Sequence, residues 1–180
     1  IVEWSPIQWT DKIPPLGDKL RGHLEQTRPG SGSYAAWNLL YQVLLENDIA
    51  PGTVSFTPDG KPYFVENHVF FSLSHTISVC AVSVADVPTG IDVERTDRKI
   101  PERVLRKTFS PAEYREYKDN PVVGWCRKEA ACKISGRGLI ADSGISTITS
   151  CGIAFKNLFA DVGGNSYIIA VGFSSYNCSG

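Results

Sequence analysis

The sequence has no methionine, no C-x-x-C pair, no long apolar run and no excess of either charge. Each absence removes a class of reading. A membrane-spanning helix needs about 20 consecutive apolar residues, and no such run occurs. The N-terminus also lacks a basic-then-apolar leader pattern, so no membrane association and a cytoplasmic location are expected. With Ile1 first and methionine nowhere, the sequence is expected to lack its initiator residue. The cysteines, Cys80, Cys126, Cys132, Cys151 and Cys178, are odd in number and lack zinc-ligand spacing. Reduced thiols, some of them buried, are favoured over a zinc site or a disulfide framework. The formal net charge of −1 leaves steering to local patches and gives nucleic-acid binding no support. No Walker loop or dinucleotide glycine fingerprint occurs.

What remains is an ordinary globular composition over 180 residues, 42% hydrophobic and 21% charged. A chain of this size buries about 70% of its unfolded surface and needs no staples. The periodicities predict helices over 18–24, 34–46, from Ser110-Pro111 onward, and from Pro121 to the Gly136/Gly138 pair. Ser33 is the expected cap of the second helix, whose apolar stripe is Trp37, Leu40, Tyr41, Leu44 and Leu45. Ser110, Pro111 and Glu113 form a capping-box start. Strands are expected at 54–57, 62–65, 69–73, 77–85, 91–94, 145–155 and 167–173. A helix followed by strands thus occurs twice. The expected fold is α+β, a pseudo-dimer of two similar α/β lobes, residues 1–88 and 89–180. Each lobe is a helix on a small, mainly antiparallel sheet, and the active site lies at the lobe interface.

Two segments carry the chemistry. In Gly90-Ile91-Asp92-Val93-Glu94, the two carboxylates share one strand face, about 7 Å apart, while Ile91 and Val93 face a core. In Trp125-Cys126-Arg127-Lys128-Glu129-Ala130-Ala131-Cys132-Lys133, the residues Trp125, Glu129 and Lys133 form one helical stripe. Carboxylates converging from strand and helix suit Mg²⁺, and lysines beside them suit a phosphate held by that metal.

These blocks resemble the 4′-phosphopantetheinyl transferases of the Sfp type. The resemblance rests on Gly60-Lys61-Pro62, on Phe71-Ser72-Leu73-Ser74-His75-Thr76, on Gly90 to Glu94, and on Trp125 to Lys133. Phe109-Ser110 with Glu113 adds to it. Four blocks in order, the last one long, make a specific signal. About half the chain precedes Asp92, which resembles the monomeric, pseudo-dimeric subfamily rather than the short trimeric one. The chain is shorter than most such enzymes, and Ala35-Ala36-Trp37 stands where relatives often have an arginine.

The resemblance implies Mg²⁺-dependent transfer of the 4′-phosphopantetheine arm of coenzyme A to a serine of an apo acyl or peptidyl carrier protein, releasing 3′,5′-ADP. It implies Asp92, Glu94 and Glu129 as metal ligands, directly or through water. Glu129 is the candidate base, metal ligand, or both. Lys133 is expected to bind a phosphate at the reacting centre. Lys61, Ser74, His75 and Arg28 are candidate coenzyme A contacts, with Ser33 beside Arg28. Lys128 is either such a contact or a solvated lysine supporting the site. Trp125 is read as packing. Arg98, Lys99, Arg103, Arg106 and Lys107 are a docking patch for an acidic carrier protein, or a mixed-charge exposed loop.

Each residue also has an ordinary alternative. Glu129 and Lys133 can be an i,i+4 ion pair worth ~0.2–0.5 kcal/mol. Glu94 can pair with Arg95 or Arg98, Lys61 can be an exposed hairpin lysine, and His75 can be structural. Two other functions are carried alongside: a Mg²⁺-dependent phosphohydrolase or nuclease, and a non-catalytic coenzyme A-binding module.

Overall fold

The structure, a computed structural model, describes residues 1–136 and 152–174. In chain order the elements are β1 (Val2–Pro6), α1 (Asp18–Glu25), α2 (Gly32–Glu46), β2 (Val54–Phe56), β3 (Pro62–Phe64), β4 (Phe70–His75), β5 (Val79–Ala85) and β6 (Thr89–Arg95). Then follow α3 (Glu102–Thr108), α4 (Pro111–Tyr117), α5 (Pro121–Ser135), β7 (Ile153–Val162) and β8 (Asn165–Ser174). The fold is α+β.

Two three-stranded antiparallel sheets run β1-β5-β4 and β6-β8-β7, and β2 pairs with β3 in a small hairpin. The two larger sheets share a chain order. A first edge strand precedes a long helix, and a hairpin then returns with its last strand in the centre. Helix α2 packs on β4 and β5, and α5 packs on β6 and β8.

Strand β5 reads Val-Cys-Ala-Val-Ser-Val-Ala because both its faces are covered. Val82 and Val84 face the core under α2, with Trp37, Leu40 and Leu44. Val79 and Ala81 pack instead with Ile91, Val93, Ile169 and Val171 of the second sheet. The two sheets therefore share a core, and Ile91 and Val93 face it as their alternation predicts.

Several expectations need correcting. Strand β1 occupies a segment in which no element was expected before Asp18. It completes the first sheet by pairing Trp4 with Ala81. Ser31, not Ser33, stands at the N-cap of α2, and its hydroxyl makes no capping bond. Along α2 the buried face runs through Val43, while Leu45 is exposed. The basic stretch holds a helix, α3, whose Leu105 is anchored among Phe109, Tyr117 and Trp125. Strand β7 begins at Ile153; the expected strand residues 145–151 and the expected stop at Gly138 lie outside the described residues.

Helix α5 ends at Gly136 in a left-handed conformation, φ +78°. Its close approach to β6 depends on Gly90. A Cβ there would lie 2.0 Å from the Ala130 carbonyl oxygen, so any side chain would push helix and strand apart.

Candidate active site

Strands β4 and β6 are both sheet edges, and they meet without pairing to each other. Buried edge groups need partners, and side chains supply them here. Ser72 Oγ accepts from the Ile91 N–H at 3.1 Å. Ser74 Oγ donates to Asp92 Oδ1 at 2.8 Å. Lys133 Nζ donates to the carbonyls of Leu73 at 3.3 Å and Ile91 at 2.9 Å, and to Asp92 Oδ1 at 2.9 Å. An ammonium has three donors, and all three are engaged in this seam. Lys133, the expected phosphate ligand, is thus fully engaged in this structure. It joins the two sheets and places its charge in a cavity.

That cavity, about 350 Å³, opens at the seam between α2 and α5. Its polar lining includes Glu129, Lys133, Lys61, Asp59 and His75; its apolar wall includes Trp37, Phe56, Phe71 and Leu73. Lys61 is held by a tight turn in which Gly60 has φ +85° and the Lys61 N–H donates to Thr57 Oγ1 at 3.0 Å. The Lys61 ammonium donates to the Ile134 carbonyl, one of the last carbonyls of α5, where a cation complements the helix dipole. His75 ends β4, with Nε2 3.3 Å from Ser33 Oγ. A Cβ on Gly32 would lie 2.3 Å from the His75 Nδ1.

The expected contacts divide. Lys61 and His75 line the cavity, as does Ser33. Ser74 does not; it is buried and serves Asp92. Arg28 is exposed in the loop before α2 and does not line the cavity. Lys128 is neither a coenzyme A contact nor solvated. It is 0% exposed and pairs at 2.8 Å with Glu113, also 0% exposed. The same Glu113 oxygen accepts from the Ser110 N–H at 2.8 Å, so the capping box of α4 is tied to α5. One residue along the helix from Glu129 is enough to turn a side chain from the cavity into the core.

The three carboxylates fare unequally. Asp92 is 6% exposed; Oδ1 is held by Ser74 and Lys133, and Oδ2 is buried without a partner among the described residues. Burial raises the pKa of Glu129, and the nearby charge of Asp92 raises it further, against the opposing charges of Lys133 and Arg98. Glu94 is turned to Arg98 in an i,i+4 ion pair. No three His, Cys, Asp or Glu side chains among the described residues stand grouped to hold a metal. The expected triad is thus not assembled among the described residues; Glu94 is paired with Arg98 instead. The remaining pair still fits a hard cation: an orphaned buried carboxylate oxygen beside a second carboxylate whose ionised form is disfavoured.

Residues 88–172 match the family model of the 4′-phosphopantetheinyl transferase superfamily. The match runs from the entry of β6 to near the end of β8 and includes Asp92, Glu94, Glu129 and Lys133. Over that stretch, a little under half of the chain, the sequence is similar to that superfamily. No curated protein matches the chain. Among the described residues no helix is long and apolar enough to cross a membrane.

Trp125 packs with Leu105, Phe109 and Tyr117, as expected, but Arg98 also lies over its ring, 5.1 Å from the centroid. Sequence reasoning placed Arg98 in the docking patch and, as the ordinary alternative, beside Glu94, but not over Trp125. The four-residue spacing from Glu94 was the signal that tied it to the acidic strand. The apolar wall was missed because Trp37 read only as part of a helix stripe and Phe71 only as part of a strand and a motif; both are also core residues. The thiols Cys80 and Cys126 are buried, and burial pushes Cys80 up to about 11 and Cys126 well above the ordinary range, so both are inert packing groups.

Proposed function

We propose that the protein is an Sfp-type 4′-phosphopantetheinyl transferase, a cytoplasmic monomer with halves at 1–88 and 89–180. Its donor is coenzyme A and its acceptor a serine of an apo acyl or peptidyl carrier protein. The observation that carries this reading is the seam itself. Lys133 binds Asp92 and the edges of both sheets, and Glu129, Lys61 and His75 face the cavity alongside it.

Asp92 and Glu129 would hold Mg²⁺, with Glu94 joining once Arg98 releases it. The metal supplies charge neutralisation on the pyrophosphate. Lys133 can exchange its longest bond, to Leu73, for a phosphate oxygen while still anchored to Asp92. Lys61 and His75, which line the same cavity, would meet phosphate there, and the wall of Trp37, Phe56 and Phe71 suits the flat adenine. A raised Glu129 carboxylate is suited to accept the serine proton, directly or through water.

The test is incubation with coenzyme A, Mg²⁺ and apo carrier proteins, read as covalent mass gain on the carrier serine. Mass gain that requires Glu129 is expected. Hydrolysis of coenzyme A without any carrier would favour a phosphohydrolase. Thermal stabilisation by coenzyme A with no transfer would leave a binding module.

A further inference from the structure

Arg98 is a cation beside the acidic strand that neither the seam nor the cavity employs. It leaves the turn after β6, where the Arg98 N–H donates to the Arg95 carbonyl at 3.1 Å. Its guanidinium pairs with Glu94 and covers the ring of Trp125. Trp125 lies one helical turn before Glu129 on the same stripe of α5. A guanidinium bonded to the strand carboxylate and resting on that stripe spans the two elements from which the carboxylates come.

We infer that Arg98 is a resident counter-cation that holds Glu94 away from the metal position and competes with a divalent cation for it. This rests on the reading of Asp92 and Glu129 as a metal site. The physical reason is desolvation. Asp92 is buried and Glu94 largely covered, and like charges brought together out of water repel strongly unless a cation stands among them. Lys133 is already bound to Asp92, so Glu94 takes its neutralising charge from Arg98. A planar guanidinium resting on an indole face can slide off with little disturbance of the packing beneath. Binding of a divalent cation then exchanges one counter-charge for another instead of filling a bare acidic site. Arg98 is thus a positioning residue that sets the metal affinity.

The experiment measures Mn²⁺ dissociation constants by electron paramagnetic resonance on the wild type, Arg98→Met and Arg95→Met, without coenzyme A. Methionine keeps apolar cover on Trp125 and removes the charge. Arg95 is the control: it neighbours the same strand end but pairs with Asp97, at 2.6 Å. Arg98→Met is expected to bind Mn²⁺ roughly fivefold tighter, the size of one lost, partly exposed competing ion pair. Arg95→Met is expected to change little. Mg²⁺ should alter Trp125 emission in the wild type, isolated by difference against Trp125→Phe, and should leave Arg98→Met unaltered. Equal tightening in both arginine variants, or none in Arg98→Met, overturns the inference and leaves the metal reading standing. Absence of Mn²⁺ binding in the wild type overturns both.

Discussion

Helices α2 and α5 are each fifteen residues long, and each lies on one three-stranded antiparallel sheet of the same chain order. They differ in what they carry. Helix α2 has one charged residue, Glu46, at its last position. Helix α5 has Arg127, Lys128, Glu129 and Lys133. Helix α2 is therefore a wall that shapes the cavity with Ala36 and Trp37, while α5 contributes Glu129 and Lys133. The glycines repeat the contrast. Gly90 lets α5 touch backbone, whereas Gly32 lets α2 touch only the side chain of His75. Two similar scaffolds can hold one site when one is packed for shape and the other for placement of ionisable groups.

The sharpest break of this comparison is Glu129→Gln. Transfer activity should fall about 10²–10⁴-fold, the range of a lost acid–base group. A substitution on the α2 wall, Ala36→Ser, should change the Michaelis constant for coenzyme A more than turnover. Steady-state kinetics on both variants separate the roles. Next in size is the buried pair. Lys128→Met leaves Glu113 charged and buried, which should cost about 3–5 kcal/mol in urea unfolding. The double variant Glu113→Gln/Lys128→Met should recover much of that loss.

Gly90→Ala should cost about 3 kcal/mol, because the obstacle is backbone. Gly32→Ala should cost less, since His75 can turn aside, and should weaken coenzyme A binding instead. Comparable losses in both would break the contrast between the two contacts. The pH dependence is subtler. The pKa of Glu129 is raised in the fold above its ordinary 4.5. Its contribution to stability is thus fully present below about 4.5 and is lost as pH rises through the folded value. Glu129→Gln should match the wild type in thermal midpoint near pH 4 and exceed it at pH 8.

The smallest effect is expected at the basic helix. Arg106 is exposed like Lys99, Arg103 and Lys107, but it pairs with Glu102 at 2.8 Å and lies over Tyr114. Arg103→Glu/Lys107→Glu should raise the carrier-protein Michaelis constant several-fold, and Arg106→Glu less. Equal effects would mean that the patch acts only through net charge.

Much of this arrangement was legible before any coordinates. Alternation along Ile91 to Glu94 set which side chains face the core, because the strand period is two. The Ser110–Glu113 box announced α4, and Gly136 announced the end of α5. The halved repeat was visible in element order. What escaped was whatever depended on partners distant in sequence. Lys128 and Lys133 are both lysines on one helix, and periodicity separates them by face but does not say what lies opposite. Glu113, fifteen residues before Lys128, decides that one is buried. Leu73, sixty residues before Lys133, decides that the other is a clamp. Helix α3 was masked by its charges, since its short apolar face, Val104 and Leu105, gives too few turns for a periodic signal.

The sequence by itself determined the elements and the chemical types available at the site, because strand and helix periods and capping are local rules. Only the tertiary structure decided which of those groups are engaged: Asp92 clamped by Lys133, Glu94 held by Arg98, Lys128 buried with Glu113. The physical reason is that a charge taken out of water must find a counter-charge, and which one it finds is fixed by the meeting of surfaces far apart along the chain.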